Sequence, residues 1–292
     1  MSDEIPPVDP APQLEWGTMR TFGSAVLVLA ALLLAGAAVC GAWLSQNAVS
    51  AQGFSQLAEP LGEDEAFQSE LSSAVASQAS ASLSEGLPAG LAALVEPVIE
   101  NVVSGFQQAP GYPEAWTQTL ERSHAATFDS GTPSLDLGPL LNLVSSEVAG
   151  EIGTEPADAG QRLLTVSSAE YSRELETLVR FSDSWPLFAA AGVLAALLGL
   201  LAARRRSTTV ALIGAGTAGM AGALWLASGA AASIVERQTP ANPVASAFTA
   251  GFVPLAESSF HSWLVVMLIA AAVLFVLGLV FRVAAGNRRT VR

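Results

Sequence analysis

The sequence predicts a mainly α membrane protein: four transmembrane helices and a mostly helical extracytoplasmic domain with a short two-stranded β element. Three observations carry this reading. Apolar residues make up 51% of the chain against 13% charged, and the mean hydropathy is +0.46, too apolar for an ordinary water-soluble domain. Residues 21–44, 185–203, 207–235 and 260–281 hold no acid, Lys or Arg for long enough to cross a hydrocarbon core. Between the first two, residues 45–184 space their apolar side chains at helical intervals.

The elements follow in chain order. Residues 1–20 form the cytoplasmic N-terminus, and the first eighteen, rich in proline and acids, read as disordered. The run 21–44 exceeds the roughly 7–15 apolar residues of a cleaved signal. It therefore reads as an uncleaved anchor, although Val49-Ser50-Ala51 is an acceptable cleavage context. Cys40 does not read as a lipidated residue, because bulky Val39 precedes it. Phe67, Leu71, Val75, Ala79 and Leu83 recur every fourth residue after Glu63-Asp64-Glu65, acids suited to the positive end of a helix dipole. The Ser/Ala-rich run 69–84 keeps that stripe, so it reads as a helix packed by small residues. A second helix runs from Leu87 through Leu91, Leu94, Val95, Val98 and Val102 to Phe106, with Pro88 in its first turn and Glu96 and Glu100 on the other side. After the Ala109-Pro110-Gly111 break, Tyr112, Trp116 and Leu120 mark a third; Leu140, Leu141, Val144, Val148 and Ile152 mark a fourth. Residues 134–137 and 162–166 have the alternating or β-branched character of short strands. A helix over 169–181 runs nearly continuously into the second span, 185–203. Then come the Arg turn 204–206, the third span 207–235, an outer loop 236–259, the fourth span 260–281 and a basic tail 282–292.

Orientation follows from cations near the span ends. All thirteen cations are Arg. Arg20 precedes the first span, Arg204, Arg205 and Arg206 lie between the second and third, and Arg282, Arg288, Arg289 and Arg292 follow the fourth. Four crossings place all three clusters on one side, which assigns both termini to the cytoplasm and residues 45–184 to the outside of the cell membrane. Trp43, Trp185, Phe260 and Trp263 fall at the outer ends of the spans, and Trp16 and Phe22 at the inner one, as interfacial anchors should.

Composition excludes several chemistries. Cys40 is the only cysteine, so there is no intramolecular disulfide, thiol oxidoreductase pair or Cys-ligated metal. Without lysine there is no Walker A lysine, Ser–Lys dyad or Schiff-base nucleophile. Between residues 46 and 183, twenty acids face four arginines, leaving about −16 before His124. Nucleic acid is a poor partner for that surface, and cations or basic protein faces are better ones. The acids also serve simply to keep the surface soluble.

Gly214-x-Gly216-x-x-Gly219, with Glu236 some twenty residues on, has the spacing of a dinucleotide fingerprint. That fingerprint needs a water-accessible strand–turn–helix, whereas this one sits inside the charge-free run 207–235. Gly214, Ala218 and Gly222 read instead as a small-residue line for helix packing. Glu121 and His124 form a Glu-x-x-His, the helical spacing of carboxylate-bridged metal sites, but such sites need the pair twice. The other histidine, His261, follows Glu257 by four residues. A mixed site of Glu121, His124 and Asp129 is the metal candidate; a structural histidine beside Trp116 is the default, with no cofactor implied. Ser/His/Asp catalysis would draw on His124, Asp129 or Asp136, yet no Gly-x-Ser-x-Gly elbow occurs, and no Asp-x-Asp-x-Asp-Gly calcium loop either. The spans hold no acid or Arg of the kind coupled transporters use, only polar residues such as Thr217 and Ser228.

Trp116-x7-His124, the stretch Leu135-Asp136-Leu137-Gly138-Pro139-Leu140-Leu141 and the Arg turn together resemble an uncharacterised family of four-span cell-envelope proteins of high-GC Gram-positive (actinobacterial) bacteria. The likeness covers about residues 54–281. It implies one large outer domain after the first span and no particular activity. The family often has Asn four residues after the Trp, where this chain has Leu120. The reading is thus a non-enzymatic scaffold or accessory protein of the envelope, embedded in the lipid bilayer. It binds another envelope or membrane protein through its acidic outer domain and the apolar loop 242–256, and the third span packs within the chain or in a homo-oligomer. The alternatives are a channel or transporter subunit and a metal-dependent extracytoplasmic enzyme.

Overall fold

A computed structural model describes residues 13–84, 101–103, 105–166, 171–237 and 242–287. The chain is mainly α. Among the described residues the α-helices of eight residues or more are α1 (Gln13–Leu44), α2 (Ala51–Ala58), α3 (Glu65–Ser84), α4 (Tyr112–Ser130), α5 (Gly138–Ile152), α6 (Ser172–Asp183), α7 (Trp185–Ala202), α8 (Arg206–Glu236) and α9 (Pro243–Asn287). Strands β1 (Ser134–Asp136) and β2 (Leu163–Thr165) pair antiparallel, Leu135 opposite Leu164, within the two stretches the sequence marks. The expected helix from Leu87 to Phe106 falls mostly outside the described residues. Helix α1 begins at Gln13, inside the segment read as disordered. Past Pro12 no proline interrupts the chain before the span, so the costly first turn is already supplied and the helix propagates outward.

Two compact units divide the chain. The span unit comprises Met1–Cys40, Ser184–Leu226 and Trp263–Arg292. Among the described residues, four helices are long and apolar enough to cross a membrane: Thr21–Val49, Trp185–Ala202, Arg206–Val235 and Pro243–Val283. Within the span unit Phe22, Leu187, Leu226 and Ile269 are exposed, an outward apolar surface that suits lipid and not water. Its packing relies on small residues. Ser24 Oγ donates to Gly199 O at 2.9 Å, joining α1 to α7. A Cβ on Gly214 would meet Phe275 N at 2.5 Å, and one on Gly278 would collide with the Ala211 backbone, so α8 and α9 touch main chain to main chain.

The head unit comprises Gly41–Asp183 and Ala227–Ser262. Ser50 Oγ caps α2 by accepting from Gly53 N at 3.2 Å, and Asp64 Oδ1 caps α3 by accepting from Phe67 N at 2.8 Å. Phe67, Leu71, Val75 and Ala79 are buried, as their fourfold spacing predicts, against Trp116 and Leu120 of α4 and Leu140, Val144 and Val148 of α5. Asp136 is buried as a backbone clamp. Its Oδ1 accepts from Gly138 N and Arg162 N, each at 2.9 Å, tying β1 to the first turn of α5 and to the start of β2.

One boundary differs from the sequence reading. The segment read as an outer loop over 236–259 is largely the beginning of α9, a helix that continues through Pro254 to Asn287. Asn242 Oδ1 accepts from Ala245 N at 2.8 Å as an N-cap, and Pro243 occupies the first turn, where its missing N–H costs nothing. Val244 and Ala245 are buried, and Phe248, Phe252 and Leu255 pack on the core. Phe248 lies 5.9 Å from Phe67, ring centre to ring centre. Trp43 and Phe260, two of the aromatics read as interface anchors, meet edge to face at 5.4 Å.

The 3-10 turn Glu59–Glu63 is held from α4 and α3. Tyr112 Oη donates to Gly62 O at 3.2 Å and receives Gln68 Nε2, while Trp116 Nε1 donates to Glu59 O at 3.3 Å. Burial pushes the Tyr112 phenol up to about 12, the Gln68 hydrogen bond pulling the other way. A tyrosine ionises near 10 in an unfolded chain, so the stabilising contribution of the neutral phenol is complete below about pH 10 and is lost as pH rises towards 12. Absorbance titration of a Tyr171→Phe variant, which leaves Tyr112 as the only tyrosine, should show ionisation near pH 12 accompanied by loss of helicity. Ionisation near 10 with the fold intact would contradict the buried position.

Candidate functional site

Helices, strand segments and the turn at Ala48 of the head unit line a cavity of about 230 Å³. Helix α4 contributes Leu120, Ser123, His124, Thr127 and Phe128, whose spacing of three, four, seven and eight residues lines up one helical face. Helix α6 adds Leu175 and Leu178, one turn apart, and α9 adds Phe248 and Phe252, likewise one turn apart. Phe54 comes from α2, and Leu135 and Val166 from the two strand segments. Such a wall is legible only in part from sequence, because each contributor looks like an ordinary core residue of its own helix.

His124 is the most polar side chain on this wall. Its ring stacks on Phe128 at 4.4 Å and lies 5.4 Å from Phe54. Its Nε2 is 3.0 Å from Ala48 O. A carbonyl only accepts, so Nε2 carries the proton and donates. That nitrogen is therefore committed to the backbone and is no free metal ligand or base. Ser123 Oγ donates to Thr119 O and accepts from Asp136 N at 2.7 Å, and is equally committed. Trp116, expected beside the histidine, packs instead on Phe67 at 5.5 Å.

The structure does not gather the metal candidates. Glu121 and Asp129 are exposed on α4, His124 is turned into the cavity wall, and among the described residues no group of three or more His, Cys, Asp or Glu could hold a metal ion. Accordingly, His124→Ala should lower the melting temperature by the equivalent of about 1–3 kcal/mol through the lost ring contacts and hydrogen bond. Glu121→Ala should leave it unchanged, and elemental analysis should give the same metal content for both variants and the parent. A metal lost with either substitution would contradict this assignment.

The small-residue line of α8 is offset from the expected one. Gly214 sits against α9, Ala218 is half-buried, and Gly222 is exposed with no atom within 4 Å of where its Cβ would lie. The buried partner of Gly214 is Ala221. Two steps of four overshoot two helical turns by about 80°, whereas a step of seven returns to within about 20°. Arg204, Arg205 and Arg206 are exposed at the turn between α7 and α8; Arg288 and Arg289 lie outside the described residues.

A cluster the sequence reading left apart also forms. Ser228 Oγ lies 2.9 Å from His261 Nε2, and Glu257 Oε1 lies 3.6 Å from the same nitrogen. Both partners face one ring nitrogen, so this is not the arrangement of a catalytic triad, which needs the acid on the other nitrogen. The i,i+4 spacing of Glu257 and His261 was the signal, obscured because residues 257–259 were read as loop. Compared with known proteins, the chain matches no family model, no curated protein and no solved structure.

Proposed function

We propose that this protein is an integral scaffold or accessory protein of the cell envelope, akin to the actinobacterial four-span proteins it resembles. It sits in the cytoplasmic membrane with both termini inside and the head unit outside, and it works by binding and not by turnover. The observation that carries the reading is the head-unit cavity, an apolar recess whose wall hydroxyls and His124 Nε2 have backbone partners. Such a recess recognises shape and hydrocarbon and offers no activated nucleophile. The acidic balance of residues 46–183 favours a basic face on a partner envelope protein, and disfavours nucleic acid. Affinity purification of the full chain from native membranes in mild detergent, with mass spectrometry, should return one recurrent protein at near-equal amount. Recovery of the chain alone, across detergents, would contradict it.

A channel or transporter subunit is the second reading, favoured by one observation. Ser228, Glu257 and His261 meet within helices apolar enough to span a membrane, where ionisable groups mark ion pathways. Ion flux in reconstituted vesicles that is abolished by His261→Ala would support it, and silent vesicles would dismiss it.

A further inference from the structure

We infer that the cavity around His124 holds the end of one hydrocarbon chain of a membrane lipid. The inference rests on the binding reading above and names the chemistry of one ligand.

The wall dictates an apolar occupant. Most of its polar atoms have local partners: Ser123 Oγ has Thr119 O and Asp136 N, Thr127 Oγ1 has Ser134 N at 3.2 Å, Ser134 Oγ has Thr132 O at 3.1 Å, and His124 Nε2 has Ala48 O. What faces the space is carbon, chiefly Phe54, Phe128, Leu175, Leu178, Phe248 and Phe252. A head group, sugar or peptide bond placed there would give up water and gain few hydrogen bonds in return.

Size narrows the occupant further. A volume of about 230 Å³ exceeds the roughly 150 Å³ that accepts a benzene ring, and at about 30 Å³ per water-sized group it takes about eight such groups. That is the end of a single chain, well short of a whole lipid. Water gains little in a recess with so few free polar partners, so an apolar occupant is favoured over filling by solvent.

Connectivity supplies the source. Ala48 belongs to the apolar helix Thr21–Val49, and Phe248 and Phe252 belong to Pro243–Val283. The latter has 41 residues, about twice the roughly 20 that a crossing needs, so its first turns are surplus to the span. Leu175 and Leu178 lie on α6, which ends two residues before the span Trp185–Ala202 begins. Three of the four candidate spans thus lead directly, in sequence, into segments that wall the cavity.

The test uses the full chain in vesicles of phosphatidylethanolamine and phosphatidylglycerol. A small share of the phosphatidylglycerol carries a diazirine at the terminal carbon of one acyl chain; after irradiation, adducts are mapped by mass spectrometry. The expected result is labelling of Phe54, Phe128, Leu175 or Phe248 in addition to the span residues. Leu178→Trp, which fills the space, should cut the cavity adducts by about tenfold or more, the loss expected when a modest binding energy disappears, and leave span adducts unchanged. A diazirine next to the head group should label the spans but not the cavity, a control that does not depend on any variant folding. Span adducts without cavity adducts would overturn the inference, as would equal cavity labelling from both diazirine positions. If the cavity yields no lipid adduct while a protein still co-purifies with the chain, the lipid assignment fails while the binding reading survives. If lipid occupies the cavity and no protein partner is recovered, the accessory reading fails while this one stands.

Discussion

Phe67→Ala should destabilise the head unit by about 3–5 kcal/mol, the usual range for removing a fully buried aromatic ring. Phe67 has no solvent exposure and is the point where three separate parts of the chain converge: Trp116 of α4 at 5.5 Å, Phe248 of α9 at 5.9 Å, and its own helix α3 with Leu71 and Val75. Truncation leaves a void that rigid neighbours cannot close, since both facing rings are themselves packed. The expected readout is a fall of roughly 10 °C in the melting temperature of the helical signal. Phe67→Leu, which keeps most of the volume, should cost clearly less. A change under about 1 kcal/mol for the alanine variant would contradict the central placement of this ring.

Gly214→Val should be the most damaging single change in the span unit. A Cβ at this position would approach Phe275 N at 2.5 Å, Phe275 Cα at 2.8 Å and Ala271 O at 2.7 Å. These are main-chain atoms of a helix, which cannot swing aside as a side-chain end can, so α8 and α9 must separate. Overpacking of this kind costs typically about 1–3 kcal/mol and more where backbone must move. In detergent the variant should unfold or aggregate at lower temperature, and Gly214→Ala should do so in part. Gly222→Val, on the exposed side of the same helix with nothing within 4 Å, should behave like the parent. Equal damage at both positions would mean that α8 packs on the Gly222 face as well.

These two residues also show what the sequence could and could not reveal. Phe67 was legible because the stripe Phe67, Leu71, Val75, Ala79 follows helical spacing over about three turns behind an acidic start. The strand pair was legible from its β-branched and alternating residues, and the four long apolar helices from their freedom from charge. Gly214 was legible as a packing residue, but its line was drawn at intervals of four, and only the observed pairing with Ala221 places the buried face. The start of α9 is not legible from charge, because an apolar stretch outside a charge-free span has the pattern of a loop as readily as that of a docked helix. The Asn242-Pro243 cap and the spacing of Val244, Phe248, Phe252 and Leu255 were the local signals that identify it as a docked helix. The cavity was not legible at all. His124 and its partner Ala48 are 76 residues apart, and Phe248 is farther still from both, so only the tertiary fold brings those side chains to one wall.

The binding reading requires the head unit to lie outside the cell and the Arg turn inside, and accessibility labelling tests this most directly. With Cys40→Ala as background, Gly150→Cys places a thiol at an exposed position on α5 with open space around it, and Ser207→Cys places one beside the Arg turn. A membrane-impermeant maleimide applied to intact cells should modify the cysteine at position 150 and reach the one at 207 only after the membrane is permeabilised. The reverse pattern, with position 207 labelled in intact cells and position 150 protected, would place the head unit in the cytoplasm and contradict an envelope-binding role.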